Sequence, residues 1–439
     1  MTNKERKDLA IWATEYAKKQ GASEVAVSIS NSRSAEVEIR EQKIETIKES
    51  TQNGLSLRIF RDHKFSGHST NNLKKQDLQK FISEAVEATK YLTPDEFRTL
   101  PDPSLYPKNM DLDLKLNDTT YPQVKPETKI AIAKEIEQIA RAQSDKIISA
   151  TGGFSDDYTE SVRVHSNGFV GERITTSFWA GAEATVKDGD SRPEGYFWGG
   201  NRFFNQLPNP EELAKMATQN ALAKMGQTKI ASGRYNMIVE NRTAGRLLSM
   251  FIQPMSARAL QQKSSYLEGM LGQRIASDHL TIIDNPLIPG GFGSKLYDRE
   301  GIEARKRVMI EKGILKEYYI DNYYGKKMGM TPNGGSLSNI VFENGTRDKE
   351  TIIKHTNHGI IVTSFNGGNS NPTTGDFSFG VSGFLVEGGK IVKPINEMNI
   401  SGNAQEFWQQ LTETGNDPYP YSTVQSPTLV FNDIDFSGL

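Results

Sequence analysis

The chain has no cysteine among its 439 residues, and it has only six histidines. The absence of cysteine excludes disulfide bonds, thiolate nucleophiles and cysteine-ligated metals, although it does not decide the cellular compartment. The scarcity of histidine leaves few side chains from which a hydrolytic metal site could be built. The six are His63, His68, His165, His279, His355 and His358.

A charge imbalance and long apolar runs are also missing. The 52 basic residues nearly balance the 54 acidic ones, for a formal net charge of -2, so the sequence lacks the positive field that attracts nucleic acid. No apolar run reaches the ~18 residues of a membrane-spanning helix, and the charged N-terminus lacks the apolar core of a signal peptide. These observations predict a soluble cytoplasmic protein that contacts neither nucleic acid nor a membrane.

The common catalytic motifs are absent as well. A P-loop needs a Gly-Lys-Ser/Thr ending, which GGK (388–390) and YGKK (324–327) do not provide. PGGFGSKL (289–296) lacks the spaced glycines of a dinucleotide-binding turn, and no Gly-x-Ser-x-Gly elbow or HExxH motif occurs. His355 and His358 in KHTNHG are the best remaining metal-ligand pair. Their favoured interpretation is a pair of exposed loop histidines.

The first half of the chain predicts two α+β subdomains separated by a connector. Residues 1–92 contain an amphipathic helix, three strand-like alternating runs (EVAVSIS, AEVEIR and GLSLRIF) and a second helix. Residues 93–127 hold six of the 18 prolines, which impose extended backbone. Residues 128–228 follow as a central subdomain, with a hairpin predicted at Asn167-Gly168 and a helix beginning at Pro210.

The second half, residues 229–439, is mostly short strand-like runs bounded by turn residues. Turns are predicted at Lys312-Gly313 and Gly388-Gly389. The fold class predicted for the whole chain is therefore α+β. An N-terminal mixed α/β region of two subdomains is followed by a β-rich, barrel-like C-terminal domain.

The main helix predicted in this domain carries its own breaker. RLLSMFIQPMSARALQQKSSYL (246–267) repeats apolar residues at three- and four-residue spacing, which places them on one helical face. Pro254 lies among them, although proline cannot donate to the helical hydrogen-bond ladder and clashes with the preceding turn. The apolar positions are Leu247, Leu248, Phe251, Ile252, Met255 and Ala259.

Five collinear segments give the sequence a family resemblance. They are ETIKESTQNGLSLRIF near the start, LPDPSLYP in the connector, HSNG in the middle, IDNPLIPGGFGSKLYDREGIEARKRVMIEKGILKEYYIDNYYGKKMG, and TTGDFSFGVSGFLVEGGKIVKPINEMNISGN near the end. Together they resemble the TldD/PmbA family, which includes proteins described as modulators of DNA gyrase. The likeness runs over nearly the whole chain.

The resemblance implies one of two subunit types. TldD-type members carry an HExxxH zinc helix and hydrolyse peptides, whereas TldE or PmbA-type members share the architecture without those ligands. Aligned on the family's Leu-Leu start, Ser249 and Pro254 stand at the histidine positions and Met250 at the glutamate. Serine is a poor neutral zinc ligand, methionine cannot accept a proton and proline has no coordinating atom. The resemblance thus implies a PmbA/TldE-type chain with no catalytic residue, metal or cofactor of its own, and zinc only in a TldD-type partner.

Two interpretations of Pro254 stay open. In zinc-bearing relatives the two histidines are five residues apart, which is about 140° around a regular helix, so the helix must bend or end for both to reach one metal. A proline is tolerated where the ladder is already broken. Alternatively, Pro254 simply terminates a core helix.

The function expected from the resemblance is that of a metal-free subunit which pairs with a TldD-type metalloprotease acting on unfolded peptides, and which forms a homodimer when alone. Two glycine-bearing segments are candidate peptide contacts, because glycine lets another backbone approach closely. One alternative is a self-sufficient peptidase using His355 or His358 with Asp376. Another is a protein-binding modulator of DNA gyrase. The candidate peptide-cleft residues are Gly290, Gly291, Gly293, Asn366, Gly367 and Gly368.

Overall fold

A single antiparallel sheet of six strands organises the first half of the computed structural model, which describes residues 1–439. The strands are β1 (Glu24–Arg40), β2 (Lys43–Arg61), β3 (Lys64–Thr70), β4 (Ile147–His165), β5 (Val170–Val186) and β6 (Glu194–Asn201). Their spatial order is β3-β2-β1-β4-β5-β6, so β1 pairs both with β2 and with β4. The two N-terminal subdomains therefore share one sheet.

Four helices pack on this sheet: α1 (Asn3–Lys19), α2 (Lys75–Thr89), α3 (Pro126–Ala142) and α4 (Pro210–Leu222). A capping box between Thr2 and Glu5 starts α1. The prediction that a helix begins at Pro210 is confirmed, with Asn209 as its N-cap. The connector before α3 contains no strand and no α-helix, and its only helical elements are two 3-10 turns, Pro103–Leu105 and Tyr121–Gln123.

Each pair of helices has its own hydrophobic cluster. Val25, Val27 and Ile29 of β1 pack with α1 and α2, whereas Val37 and Ile39 of the same strand pack with α3 and α4. Alternate residues of a strand point to one face of a sheet, so the odd numbering places both helix pairs on the same face. The other face is left for the C-terminal domain.

The strand pattern near the N-terminus was only partly predicted. EVAVSIS and AEVEIR are not two strands, because the polar residues between them remain extended within β1 and pair on both sides, with β2 and with β4. The turn to β2 falls at Glu41 and Gln42, whose φ angles of 50° and 58° are typical of a two-residue hairpin turn. The hairpin predicted at Asn167-Gly168 is confirmed between β4 and β5.

The C-terminal part contains many short elements. Its strands are β7 (Gly233–Val239), β8 (Ile282–Asp284), β9 (Arg307–Glu311), β10 (Ile314–Leu315), β11 (Ile340–Phe342), β12 (His358–Ser370), β13 (Asp376–Glu387), β14 (Lys390–Asn403), β15 (Leu411–Thr414), β16 (Val424–Gln425) and β17 (Leu429–Ser437). Its helices are α5 (Asn241–Ala244), α6 (Ser249–Ile252), α7 (Ala257–Gln261), α8 (Asn322–Met328), α9 (Lys349–Lys354) and α10 (Ala404–Gln409).

Five of these strands close into a barrel, which confirms the barrel-like prediction. Their order is β14-β13-β12-β7-β17, and pairing of β14 with β17 at Asn399–Ser437 and Ile400–Phe436 closes the ring. The pairing of β7 with β12 is parallel, and the other barrel pairings are antiparallel. A second sheet has the order β10-β9-β8-β11-β16. Buried residues of both sheets belong to one large hydrophobic cluster.

The helix predicted from Arg246 is interrupted at Pro254, as both interpretations of this proline expected, and it is shorter than its apolar pattern suggests. Residues 245–248 make a 3-10 turn, α6 lasts a single turn, and the chain turns at Pro254 before Ser256 caps α7. Pro254 supplies no N–H for a longer ladder. The apolar positions are nevertheless core, since Leu247, Phe251 and Met255 are all buried. None of the helices combines the length and apolar character needed to cross a membrane.

Candidate functional site

The three positions that the sequence resemblance aligned with a zinc-binding helix fall on α6 and the turn after it. The Ser249 hydroxyl donates to the carbonyl of Arg246 at 2.8 Å. Met250 is only 1% exposed, lies within the large hydrophobic cluster, and accepts a hydrogen bond on its carbonyl from the Tyr266 hydroxyl. The buried Pro254 accepts one from the Ser265 hydroxyl at 2.7 Å. The segment is therefore held by internal hydrogen bonds and by packing.

These side chains do not fit a zinc ion. A zinc site takes imidazole, thiolate or carboxylate donors from three or four residues. Ser249, Met250 and Pro254 offer a hydroxyl, a thioether and a hydrocarbon ring. Across the described residues 1–439, no group of three or more histidine, cysteine, aspartate or glutamate side chains is placed to hold a metal ion.

Arg246 joins this segment to one of the two glycine-bearing candidates. Its guanidinium donates to the Gly368 carbonyl at 2.9 Å and lies 5.2 Å from the ring centre of Phe379. Gly367 and Gly368 have φ angles of 73° and 76° and form a bulge in β12. A Cβ on Gly368 would lie 2.0 Å from the Ser378 carbonyl oxygen, so this position requires glycine.

Beside this bulge lies a cleft of about 550 Å³, here called the barrel cleft. Ser364, Asn366, Ser382 and Asn396 supply hydroxyl and amide groups on the barrel side. The central subdomain forms the opposite side. Only two of the 14 lining residues are hydrophobic, so the cleft is suited to hydrogen bonding with a peptide backbone rather than to burial of large apolar groups. Its charged residues on the far side are Arg192, Glu194 and Lys224.

The second glycine-bearing candidate lies elsewhere, in the loop after β8. Cβ atoms on Gly291 and Gly293 would approach Ser294 and Ser338 to 2.6 and 2.5 Å, so these glycines allow the loop to pack closely against its own domain. Gly290 differs, because its φ is 72° and an added Cβ would meet no atom within 4 Å. The structure thus does not bring the two candidate segments into one cleft.

This loop is also where the two halves of the molecule meet. Four arginines of the N-terminal region donate to its main-chain carbonyls, each at 2.7 to 3.1 Å. An arginine fork suits such carbonyl groups, and the loop is therefore fixed against the sheet face that the helices leave uncovered. The pairs are Arg58 with Arg299, Arg163 with Asp298, Arg173 with Ser294, and Arg202 with Phe292.

The histidines proposed for a self-sufficient peptidase are not placed beside their carboxylate. His358 pairs with Glu387 at one end of the β12–β13 hairpin, whereas Asp376 begins β13 at the other end. Asp376 and Glu387 are eleven positions apart along β13, a distance of about 36 Å at ~3.3 Å per residue. His355 Nδ1 lies 2.8 Å from the Thr351 carbonyl oxygen, and His358 stacks on Tyr235 with ring centres 4.6 Å apart. Asp376 is bonded to Thr374 and Asn403.

His165, in the HSNG segment, is a buried group whose role the sequence did not indicate. It is 2% exposed, its Nδ1 lies 3.1 Å from the Tyr106 hydroxyl, and Phe169 packs on its ring. Burial, reinforced by the charges of Arg58 and Arg163, lowers the pKa of His165 to about 3. The histidine is therefore neutral in the folded protein across the physiological range.

This burial predicts a loss of stability in acid. The unfolded chain protonates this histidine below about pH 6.5, but the folded chain does so only near pH 3, so the free energy of unfolding falls as the pH drops from 7. At pH 5 the contribution of His165 alone is a loss of about 2 kcal/mol. Urea unfolding at pH 7 and pH 5 measures this change in the free energy of unfolding.

His165→Gln should remove most of this pH-dependent loss, whereas His279→Gln, at an exposed histidine, should leave it unchanged. An identical loss in His165→Gln and the unmodified protein would contradict the assignment.

Family models match the chain along most of its length. A PmbA/TldA metallopeptidase domain 1 matches residues 25–89, the central domain of the same family matches 120–225, and its C-terminal domain matches 232–438. The Metalloprotease PmbA homolog of Haemophilus influenzae is 26% identical over 432 residues, covering 97% of this chain and 95% of that protein. Metalloprotease PmbA of Escherichia coli O157:H7 is 26% identical over 417 residues, covering 94% and 92%.

Solved structures show the same fold. A protein of Bacteroides thetaiotaomicron, described as a candidate modulator of DNA gyrase, is 39% identical and superposes with a TM-score of 0.96 over 99% of both chains. TldE from Thermococcus kodakarensis superposes with a TM-score of 0.86 over 98% of this chain and 100% of that one. Its identity of 22% supports a likeness of fold alone.

Proposed function

Because the chain belongs to the PmbA/TldD metallopeptidase family, we propose that it is the metal-free, PmbA/TldE-type subunit of a metalloprotease complex that acts on unfolded peptides. Its partner is a TldD-type chain that carries the zinc ion. In this arrangement the present chain has no catalytic residue. It contributes a surface that binds the TldD-type partner and part of the channel along which peptides reach the zinc ion.

The observation that carries the proposal is the chemistry of α6. Where the zinc-bearing type needs two imidazoles and a carboxylate, this chain has Ser249, Met250 and Pro254. Met250 is also buried among apolar side chains. Because the core is closely packed, its side chain cannot rotate out to meet a substrate. The segment supports the barrel wall, and hydrolysis requires a zinc site on another chain.

The barrel cleft is the part of this chain that we assign to peptide contact. Its amide and hydroxyl groups can bond a peptide backbone without reading side chains, which suits substrates that share only an extended conformation. The bulge at Gly367 and Gly368 limits bulk at its edge. The Gly290–Gly293 loop is assigned to docking of the two halves instead.

Reconstitution with a zinc-bearing relative tests the proposal. We expect the purified chain to hold no stoichiometric zinc and to leave an unstructured peptide intact, and we expect a co-expressed TldD-type chain to co-purify with it and to cleave that peptide only in the complex. Ser249→Ala in the complex should leave the rate unchanged, because the Ser249 hydroxyl bonds its own main chain. Zinc analysis and peptide cleavage followed by mass spectrometry are the measurements. Cleavage by the isolated chain would support the self-sufficient alternative and reject the subunit role.

A second candidate function rests on the name of the Bacteroides thetaiotaomicron relative, a candidate modulator of DNA gyrase. The near balance of charge, at a net -2, gives no support to direct DNA contact. A protein–protein effect on gyrase is the form this function would take. Capture experiments with the tagged chain, scored for gyrase subunits and for the TldD-type chain, separate the two candidates.

A further inference from the structure

A second cleft of about 550 Å³ opens where the N-terminal sheet meets the loop after β8, and it is here called the sheet cleft. Only two of its 13 lining residues are hydrophobic. Its basic residues come from distant parts of the sequence: Arg163 from β4, Arg173 from β5, and Lys295 and Arg299 from the loop. The fold therefore concentrates four positive charges that are scattered along the chain.

These cations lack carboxylate partners. Arg163 and Arg173 donate to the main-chain carbonyls of Asp298 and Ser294, and Lys295 donates to Leu337. None of them forms an ion pair within 4.0 Å. Arg163, Arg173 and Lys295 are half-buried and Arg299 is exposed, so their charges can be reached from the cleft. A cluster of partly desolvated cations without carboxylate partners is suited to receiving an anion.

The acidic residues of the cleft are already engaged by main-chain N–H groups. Asp298 accepts from the N–H groups of Glu300 and Ile302 at 2.7 and 3.0 Å, and Glu300 accepts from that of Asn322 at 2.8 Å. Asp321 caps α8. Burial, with the nearby charges of Asp298 and Asp321, also raises the pKa of Glu300 to about 7, so this carboxyl carries only part of a negative charge at neutral pH. The cleft therefore keeps a net positive charge.

A more apolar cleft of about 520 Å³, in which eight of the 15 lining residues are hydrophobic, adjoins it and shares Arg173, Lys295 and Tyr297 as lining residues. Its two carboxylates, Asp113 and Glu172, are paired with Lys115 and Lys7. Its apolar wall comes mainly from the connector, with β5 and the loop after β8 completing it. The apolar residues include Met110, Leu112, Leu114, Leu116, Ile174 and Leu296. Two cations thus lie at the border between a polar, positive space and an apolar one.

We propose that the sheet cleft binds a carboxylate attached to an apolar body, in the form of the C-terminus of a peptide that ends in an apolar residue. Arg173 and Lys295 bind the terminal carboxylate, and the last side chain enters the adjoining apolar cleft. This inference rests on the peptide chemistry of the proposed function. It adds a preference for a free terminus, which the barrel cleft would not supply.

Calorimetric titration of the full chain tests it with three probes: an acetylated hexapeptide ending in leucine, the same peptide with an amidated C-terminus, and decanoate. We expect the free acid to bind at least about tenfold more tightly than the amide, because the amide carries no negative charge and offers only one acceptor oxygen to Arg173 and Lys295. Equal binding of the two peptides would overturn the proposal. Binding of decanoate without binding of the free-acid peptide would overturn it too, by assigning the site to a fatty acid.

Variants locate the site. Arg173→Gln and Lys295→Gln should each weaken binding of the free-acid peptide by about tenfold and leave the amide unaffected. Arg299→Gln, at an exposed residue, should weaken it less and provides a variant with little risk of misfolding. Arg258→Gln, at an exposed arginine of α7 that lines neither cleft, is the matched control and should have no effect. An equal loss in Arg258→Gln would show that the effect is not specific to the sheet cleft.

The outcome is separable from that of the proposed function. A chain that pairs with a TldD-type partner but binds no free-acid peptide contradicts the sheet-cleft inference alone. A chain that binds the free acid through Arg173 and Lys295 but forms no complex contradicts the subunit role alone.

Discussion

Replacing Asp284 by alanine is expected to lower the free energy of unfolding by about 3–5 kcal/mol, because it leaves a buried arginine without its charge partner. Asp284 ends β8 and is 1% exposed, and Arg307 begins β9 and is 7% exposed. Arg307 Nη2 lies 3.2 Å from Asp284 Oδ2, and the other carboxylate oxygen accepts from the Ser338 N–H at 3.0 Å. The same residue therefore supports a charge and a main-chain donor.

The remaining contacts of Arg307 explain why the loss is not recovered by rearrangement. Its Nη1 donates to the carbonyls of Asn333 and Gly334, and its guanidinium lies 4.6 Å from the ring centre of Tyr319. These contacts hold the side chain inside the protein after the carboxylate is gone, so the unpaired charge cannot reach water.

Urea unfolding at pH 7 measures this effect, with Lys316→Ala as the matched control. Lys316 and Glu311 form an ion pair at 2.9 Å at the other end of β9, but their side chains are 42% and 52% exposed. A pair in that position contributes less than about 1 kcal/mol. If Asp284→Ala lost no more than Lys316→Ala, burial would not govern the strength of these pairs.

Replacing Phe251 by alanine is also expected to lower the free energy of unfolding by about 3–5 kcal/mol, because the change leaves a cavity in the barrel core. Phe251 is 1% exposed, and its ring centre lies 4.8 Å from that of Trp408 at an interplanar angle of 33°. Phe407 and Phe431 pack against the same tryptophan. Relaxation around the cavity is limited because the barrel is closed.

The matched control lies two residues away on the same helical turn. Ser249→Ala removes a hydroxyl that bonds only the Arg246 carbonyl and is expected to change stability by less than about 0.5 kcal/mol. Thermal and urea unfolding of the two variants compare them directly. A loss on Ser249→Ala as large as that on Phe251→Ala would indicate that the hydroxyl, and not the apolar face, holds the segment.

The segment around Phe251 also illustrates how much of the structure the spacing of apolar residues could predict. Spacing of apolar residues correctly placed five of the six predicted side chains in the core, with Ile252 only partly buried. It did not indicate that Met250, Pro254 and Ala257 are buried as well. It did not predict that the path consists of a 3-10 turn, one α-turn and a proline turn. Short helical pieces of this kind are stabilised by their tertiary contacts, which periodicity does not describe.

The pairing partners of the strands were harder to predict from the sequence than the positions of the strands. The alternation in EVAVSIS and AEVEIR predicted two strands with one buried face. Nothing local indicated that both belong to β1, or that β1 would pair with β4 more than a hundred residues later. The arginines that dock the loop after β8 were hidden for the same reason. Three of these arginines, Arg58, Arg163 and Arg173, are charged residues within strands, so the local pattern predicts that they face solvent. In the folded chain the C-terminal domain packs against them.

The candidate site divides in a similar way. The identities at positions 249, 250 and 254 could be read against a family pattern from the sequence alone. The sheet cleft could not, because its basic residues come from β4, β5 and a loop more than a hundred residues further on. Nothing in the local sequence distinguishes any of those side chains from other surface cations. Their proposed role in binding follows only from their proximity in the folded chain.

The shared sheet has a practical consequence for anyone who would dissect the protein. β1 pairs with β4 from Ala26–His165 through to Arg40–Thr151, so a fragment that stops in the proline-rich connector would present one long, unprotected flank of main-chain donors and acceptors. Such a flank recruits strands from other molecules. The connector, despite its composition, is thus a poor place to cut the gene, and soluble pieces should be sought on the far side of α4.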